Sequence, residues 1–228
     1  MTTPDYLLLF DIDGTLLRTK GAGREATRLS MLEVFGTAST IATHHFGGKP
    51  DWYTLVELLS NHGYTRESIQ PLLPQFEAAM GRNLSQTILV NGAQPCPGAL
   101  ELIHRLRVDS RYMLGIVTGN AQASGNVKLQ AAGYDPIWFT VGAYGTESVD
   151  RNDLPRLALE RARAHCACDI QPQRVIVVGD TLKDIESARA LGAVAVAVTT
   201  GFEARHKLVA AKPDYLLDDL TGFMSILD

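Results

Sequence analysis

Residues 10–16 read FDIDGTL, directly behind the apolar run Tyr6-Leu7-Leu8-Leu9. A strand that ends on carboxylates two positions apart, Asp11 and Asp13, presents both on one face if it continues, where they repel each other. A cation between them, or a proton held on one, removes that repulsion. Two further apolar runs also end on polar groups. Leu114-Gly115-Ile116-Val117 leads into Thr118-Gly119-Asn120, and Val175-Ile176-Val177-Val178 leads into Gly179-Asp180-Thr181 with Asp184 close behind. In an open parallel sheet, ligands collect beyond the carboxyl ends of the strands. The three ends therefore converge on one pocket holding carboxylates, a hydroxyl and free backbone amides.

Carboxylates at that density are tolerable around a divalent cation, and hard oxygen ligands suit magnesium (Mg2+). Such an ion also lowers the charge barrier between an anionic nucleophile and an anionic phosphate. Asp11 then attacks phosphorus, and Asp13 protonates the leaving oxygen before deprotonating water. Thr118 and the amides near Gly119 and Asn120 are placed to hold phosphate oxygens. A calcium loop is excluded by spacing: the twelfth position counted from Asp11 is Ala22, where a bidentate Glu is needed. A plain turn and helix cap at Asp11 and Asp13 leaves the other two polar strand ends unexplained.

The elements that must position these groups alternate. Apolar runs at Tyr6 to Phe10, Tyr112 to Thr118, Arg174 to Val178, Val194 to Val198 and Tyr215 to Leu217 read as strands buried on both faces. Between them, Gly98 to Leu106, Ala121 to Ala132, Leu154 to His165 and Leu182 to Ala190 carry helical patterns, so βαβ units and a parallel sheet are expected. The stretch from about Arg18 to Pro95 breaks the rhythm, with helical patterns at Glu25 to Phe35, Trp52 to Asn61 and Arg66 to Met80 and no strand. It reads as an inserted helical cap domain, 18–95, on a core formed by 1–17 and 96–228, with hinges at Leu17 to Gly23 and Asn91 to Gly98.

Composition sets the outer bounds. The 228 residues are 46% hydrophobic, without an apolar stretch of about 18 residues, so no membrane partner is expected. A net charge of −4 and the absence of any run of five basic residues argue against nucleic acid. The opening MTTPDYLLLF has no basic n-region and too short an apolar run for a signal peptide. Three cysteines, Cys96, Cys166 and Cys168, read as ordinary thiols in a reducing cytosol, so a cytoplasmic location is expected.

With DIDGT at 11–15, VTGN at 117–120, GDTLKD at 179–184 and the ending KPDYLLDDL at 212–220, the chain resembles the haloacid dehalogenase-like hydrolase superfamily. The likeness is to its phosphatases with a helical cap after the first motif. That resemblance implies an α/β, Rossmann-like parallel core. It makes Asp11 the nucleophile and a magnesium ligand, and Asp13 the acid/base that also offers its backbone carbonyl to the metal. Asp180 completes the metal ligands and Asp184 steadies the metal's surroundings. The second acid is absent from the family's dehalogenases, so its presence here turns the expectation from dehalogenation to phosphate chemistry.

The family also needs one Lys or Arg bridging Asp11 and the phosphate, commonly in a Lys-Pro pair that this chain lacks. Arg151, at the head of the helix before the third motif, is the first choice. Lys128 is the second, unless it is an exposed helix residue facing solvent, and Arg156 reads as a surface residue. In the cap, the loop His44-His45-Phe46-Gly47-Gly48-Lys49 either reaches over the pocket, with Gly48 and Lys49 binding substrate, or is a plain turn.

The expected activity is a magnesium-dependent phosphatase acting on a small phosphorylated metabolite through an aspartyl-phosphate, phosphoglycolate-like by cap position and length. A phosphomutase on the same core, a phosphonoacetaldehyde hydrolase using Lys49, and a non-catalytic binding module are the rival readings. A monomer or homodimer is expected.

Overall fold

The computed structural model describes residues 4–227. Six parallel strands form the central sheet: β1 (Tyr6–Phe10), β4 (Tyr112–Val117), β5 (Val141–Ala143), β6 (Val175–Gly179), β7 (Val194–Val198) and β8 (Tyr215–Leu217). Their order is β5-β4-β1-β6-β7-β8. The chain builds outward from β1 to one side and then to the other, so β1 lies at the switch point where such sheets open a ligand crevice. Phe10 is level with Ile116 on one neighbour and Val178 on the other, which brings Asp11, Thr118 and Asp180 to one edge.

The two faces of β1 separate by alternation. Leu8 and Phe10 join one apolar layer with Leu114, Ile116, Ile176 and Val178, covered by α5 (Ala99–Leu106). Leu7 and Leu9 join the opposite layer with Val177 and Ala197, under α7 (Asp153–Cys166) and α8 (Leu182–Leu191). Burial on both sides is why these strands read as continuous apolar runs.

Between β1 and β4 the chain forms α1 (Ala22–Phe35), α2 (Asp51–Leu59), α3 (Arg66–Ile69) and α4 (Leu73–Asn91). These helices pack on an apolar cluster of their own that includes Phe35, Trp52, Leu55, Phe76 and Met80. The expected single helix at Arg66 to Met80 is broken by a short 3-10 turn over Gln70–Leu72, because Pro71 has no amide to donate there. Its second part runs on to Asn91. Two-residue strands β2 (Leu17–Arg18) and β3 (Gln94–Pro95) pair antiparallel at the two crossings between the helices and the sheet.

Several elements escape the sequence pattern. β5 is Val-Gly-Ala, too short for a run, and α9 (Arg205–Ala211) buries only Leu208. The cysteine expectation is corrected: Cys166 and Cys168 form a disulfide, leaving Cys96 as the free thiol. Ala167 takes a left-handed φ of 52° at the end of α7, which brings the two Cα atoms to 5.2 Å, within bridging reach. Among the described residues, no helix is long and apolar enough to cross a membrane.

Leu8, fully buried in the central strand, gives a direct check on this core. Leu8→Ala is expected to lower the unfolding free energy by about 2–5 kcal/mol in urea denaturation.

Candidate active site

β1 stops at Phe10, and Gly14 adopts φ 84°, so the chain has left strand geometry before Asp13. Asp11 and Asp13 meet different partners. Asp11 is buried beside Arg151, whose Nη2 lies 3.0 Å from Asp11 Oδ1 and donates to Asp184 Oδ1 at 2.6 Å. Asp13 is half-buried among other partners: its Oδ2 accepts from Asn120 Nδ2 at 2.8 Å and from Lys128 Nζ at 2.5 Å. Lys128 also donates to Asn120 Oδ1 at 2.6 Å, and Asn120 to the buried Thr118 Oγ1 at 2.7 Å.

Asp11, Asp180 and Asp184 form a cluster in which each offers an oxygen within 4.8 Å of the others. Asp180 is held by the Phe202 amide, which donates to Oδ2 at 3.2 Å, and by Thr15 Oγ1 at 3.4 Å from Oδ1. Two glycines permit this: a Cβ on Gly14 would sit 2.6 Å from Asp180 Oδ2, and one on Gly201 only 1.6 Å away. Asp184 Oδ2 closes the capping box of α8, accepting from the Thr181 amide at 3.0 Å and hydroxyl at 2.7 Å.

Burial pushes the Asp11 carboxyl up to about 6; Arg151 opposes this, while Asp184 and Asp13 add to it. Burial, reinforced by Asp11 and Asp184, raises Asp180 well above the usual carboxylate range. Arg151 is held more firmly protonated than usual, because Asp184 and Asp11 outweigh the effect of burial. The cluster is thus short of positive charge, and its donors are all carboxylate oxygens. A hard divalent cation fits that set.

Arg151 stands where the bridging cation was expected, and its Nη1 also donates to Gly48 O at 2.7 Å. Lys128 is buried against Asp13, so the solvent-facing alternative for it is overturned. Arg156 is exposed and pairs with Asp153 and Glu160. The Lys49 ammonium pairs with Glu57 at 2.6 Å and lies over the Tyr53 ring. Gly48 takes φ 74°, and a Cβ there would lie 2.5 Å from Thr181 Oγ1.

Sequence reasoning passed over Asp51, Glu77, Gly145 and the loop Thr200-Gly201-Phe202. Asp51 follows a proline at the start of α2 and looks like an ordinary first-turn acid. It is buried, and its Oδ2 accepts from the Ala121 amide at 2.8 Å. Only the docking of α2 on the sheet edge gives it that partner. Burial raises its pKa to about 6, against the lowering effects of the Ala121 amide and Lys128.

A carboxyl whose pKa rises from 3.8 to about 6 on folding binds its proton more tightly in the folded chain. Its contribution to stability therefore falls as pH rises from about 4 to 6, by about 3 kcal/mol at most. Asp51→Asn is expected to raise the unfolding free energy at pH 7 by roughly 1–3 kcal/mol relative to the parent, with no gain at pH 4. Urea unfolding of both proteins at the two pH values measures this.

The profile of the family described as "Hydrolase: haloacid dehalogenase-like hydrolase" matches residues 7–192. A phosphoglycolate phosphatase of Synechococcus elongatus is 32% identical over 223 residues, covering 92% of each chain. Pyrophosphatase PpaX of Anoxybacillus flavithermus is 24% identical, covering 96% of this chain and 95% of that protein. The crystal structure of a predicted phosphatase from Clostridium acetobutylicum superposes with a TM-score of 0.72 at 17% identity, covering 99% of both chains, and shows the same fold. The profile match spans most of the sequence, and the chain belongs to the haloacid dehalogenase-like hydrolases as a phosphatase.

Proposed function

We propose that the protein is a magnesium-dependent phosphatase of small phosphorylated metabolites, acting through an aspartyl-phosphate on Asp11. The observation that carries the reading is the division of labour at the end of β1. Asp11 lies in a buried carboxylate cluster beside one guanidinium, while Asp13 is held apart by Lys128 and Asn120.

In this reading Asp11, Asp180 and the backbone carbonyl of Asp13 would hold the cation, with Asp184 steadying its surroundings. When bound, the cation supplies positive charge that lets an anionic carboxylate approach an anionic phosphate. An oxygen of Asp11 forms a bond to phosphorus as the bond from phosphorus to the leaving oxygen breaks, and Asp13 gives that oxygen its proton. Asp13 then takes a proton from water, whose oxygen attacks phosphorus and releases phosphate and free Asp11. Lys128 neutralises the carboxylate left on Asp13 between the steps. Arg151 orients Asp11, beside which its guanidinium lies at 3.0 Å. Thr118, Gly119 and Asn120 complete the phosphate side.

Residues 18–95 act as the cap in this proposal, hinged at β2 and β3, with Gly48 at the pocket edge. The relatives named phosphoglycolate phosphatase favour a short phosphorylated acid as substrate. A panel of phosphate esters including phosphoglycolate, assayed with and without magnesium, tests this. Metal-dependent release with one preferred ester supports the reading. Isomer formation without release would turn it into a mutase.

Asp11→Asn is expected to lower turnover by roughly a thousandfold or more while retaining the fold by circular dichroism. Comparing Arg151→Ala with Lys128→Ala in the same assay, the larger loss is expected for Arg151, the residue beside Asp11. Magnesium is expected to raise the melting temperature of the parent protein, with the rise lost in Asp180→Asn.

A further inference from the structure

The helix α6 (Gln122–Ala131) follows Thr118-Gly119-Asn120 after one residue, Ala121, and it begins without a cap of its own. Its N-cap position is Ala121, which has no side-chain acceptor for the first-turn amides. Two of those amides are satisfied instead by the inserted helices. Asp51 Oδ2 accepts from Ala121 N–H at 2.8 Å, and Glu77 Oε1 accepts from Ala123 N–H at 3.3 Å. Glu77 Oε2 also accepts from Thr146 Oγ1 at 3.2 Å, on the loop after β5.

The arrangement is reciprocal. Helix α2 also starts without a side-chain cap, after Pro50. Its first two amides donate to the core: Asp51 N–H to Gly119 O at 2.7 Å and Trp52 N–H to Gly145 O at 2.9 Å. The approach tolerates no side chain. A Cβ on Gly145 would lie 1.8 Å from Gly119 O, and one on Gly119 would lie 2.4 Å from Lys49 O. Each helix is therefore complete only when the other is docked.

What α6 carries gives this a consequence. Asn120 lies just ahead of its N-cap and Lys128 lies within it, and both donate to Asp13. We propose that Asp51 and Glu77 are positioning residues for Asp13: by capping α6 from the inserted helices, they set Asn120 and Lys128 on its carboxylate only while those helices are seated. Seating of the helices and registration of the acid/base are then one event. The proposal rests on the role given to Asp13 above.

The test reads the coupling without and with turnover. In Asp51→Ala, hydrogen exchange at the Ala121 and Ala123 amides is expected to speed up about tenfold, the size of one lost hydrogen bond. The side-chain amide resonances of Asn120 are expected to move. Turnover on the preferred ester is expected to fall about tenfold in kcat with KM within about twofold, because Arg151 and Asp11 are untouched. Asp51→Asn, which keeps an acceptor oxygen, is expected to recover most of the exchange protection and kcat. Glu77→Ala, at a less buried position, is expected to reproduce the exchange effect at Ala123.

Unchanged exchange in both alanine variants would overturn the proposal. So would faster exchange with unmoved Asn120 resonances, or unchanged kcat, which would make the contact a seal only. A parent protein that releases no phosphate from any ester would defeat the phosphatase reading, while the exchange and resonance measurements would still decide the coupling.

Discussion

Three carboxylates buried within 4.8 Å of one another, with one guanidinium among them, are the constraint around which the rest is arranged. Buried charge is costly unless paired, and here the pairing is incomplete. Much of the surrounding structure limits that cost. Thr181 and the start of α8 take one oxygen of Asp184, Phe202 donates an amide to Asp180, and Gly48 fixes the far side of Arg151. Gly14 and Gly201 are glycine because any side chain would occupy the space of Asp180. Burial, with the neighbouring carboxylates adding to it, raises the pKa values of Asp11 and Asp180.

The second acid is kept out of that cluster. Strand geometry ends at Phe10 and the chain turns at Gly14, so two carboxylates adjacent in pattern meet different surroundings. Asp11 faces carboxylates and a guanidinium. Asp13 faces an ammonium and an amide. Two acids placed in such contrasting environments can take different parts in one reaction. Of the two groups that pair with Asp13, Lys128 stands on α6 and Asn120 just ahead of it, and the inserted helices dock at the start of that helix.

Much of this was legible in the sequence. The double-sided burial of β1, β4, β6 and β7 wrote itself as apolar runs, and the polar residues at their ends marked the crevice. The break in rhythm between Leu17 and Pro95 marked the inserted helices. What was not legible depended on contacts between distant segments. Val141–Ala143 is a strand because β4 offers it an edge, not because three small residues prefer to extend. Lys128 was a candidate for the cation beside Asp11 or a solvated helix residue until α6 was laid beside Asp13. The pairing of Lys49 with Glu57, eight residues on, was not legible either. Cys166 and Cys168 read as separate thiols because the left-handed turn at Ala167 that joins them leaves no compositional mark.

By itself the sequence determined the reactive groups and their order on the sheet, because a strand's burial and the residue at its end are local properties. It determined Asp11, Asp13, Thr118 and Asp180 as neighbours for the same reason: parallel strands expose their carboxyl ends together. Only the tertiary structure decided which cation stands beside Asp11, which acid is separated from the cluster, and how α2 and α6 cap one another. Those are matters of distance between residues remote in the chain, such as Arg151 and Gly48 or Asp51 and Ala121. Side-chain type alone does not encode them, since a buried charge takes whichever partner packing brings closest.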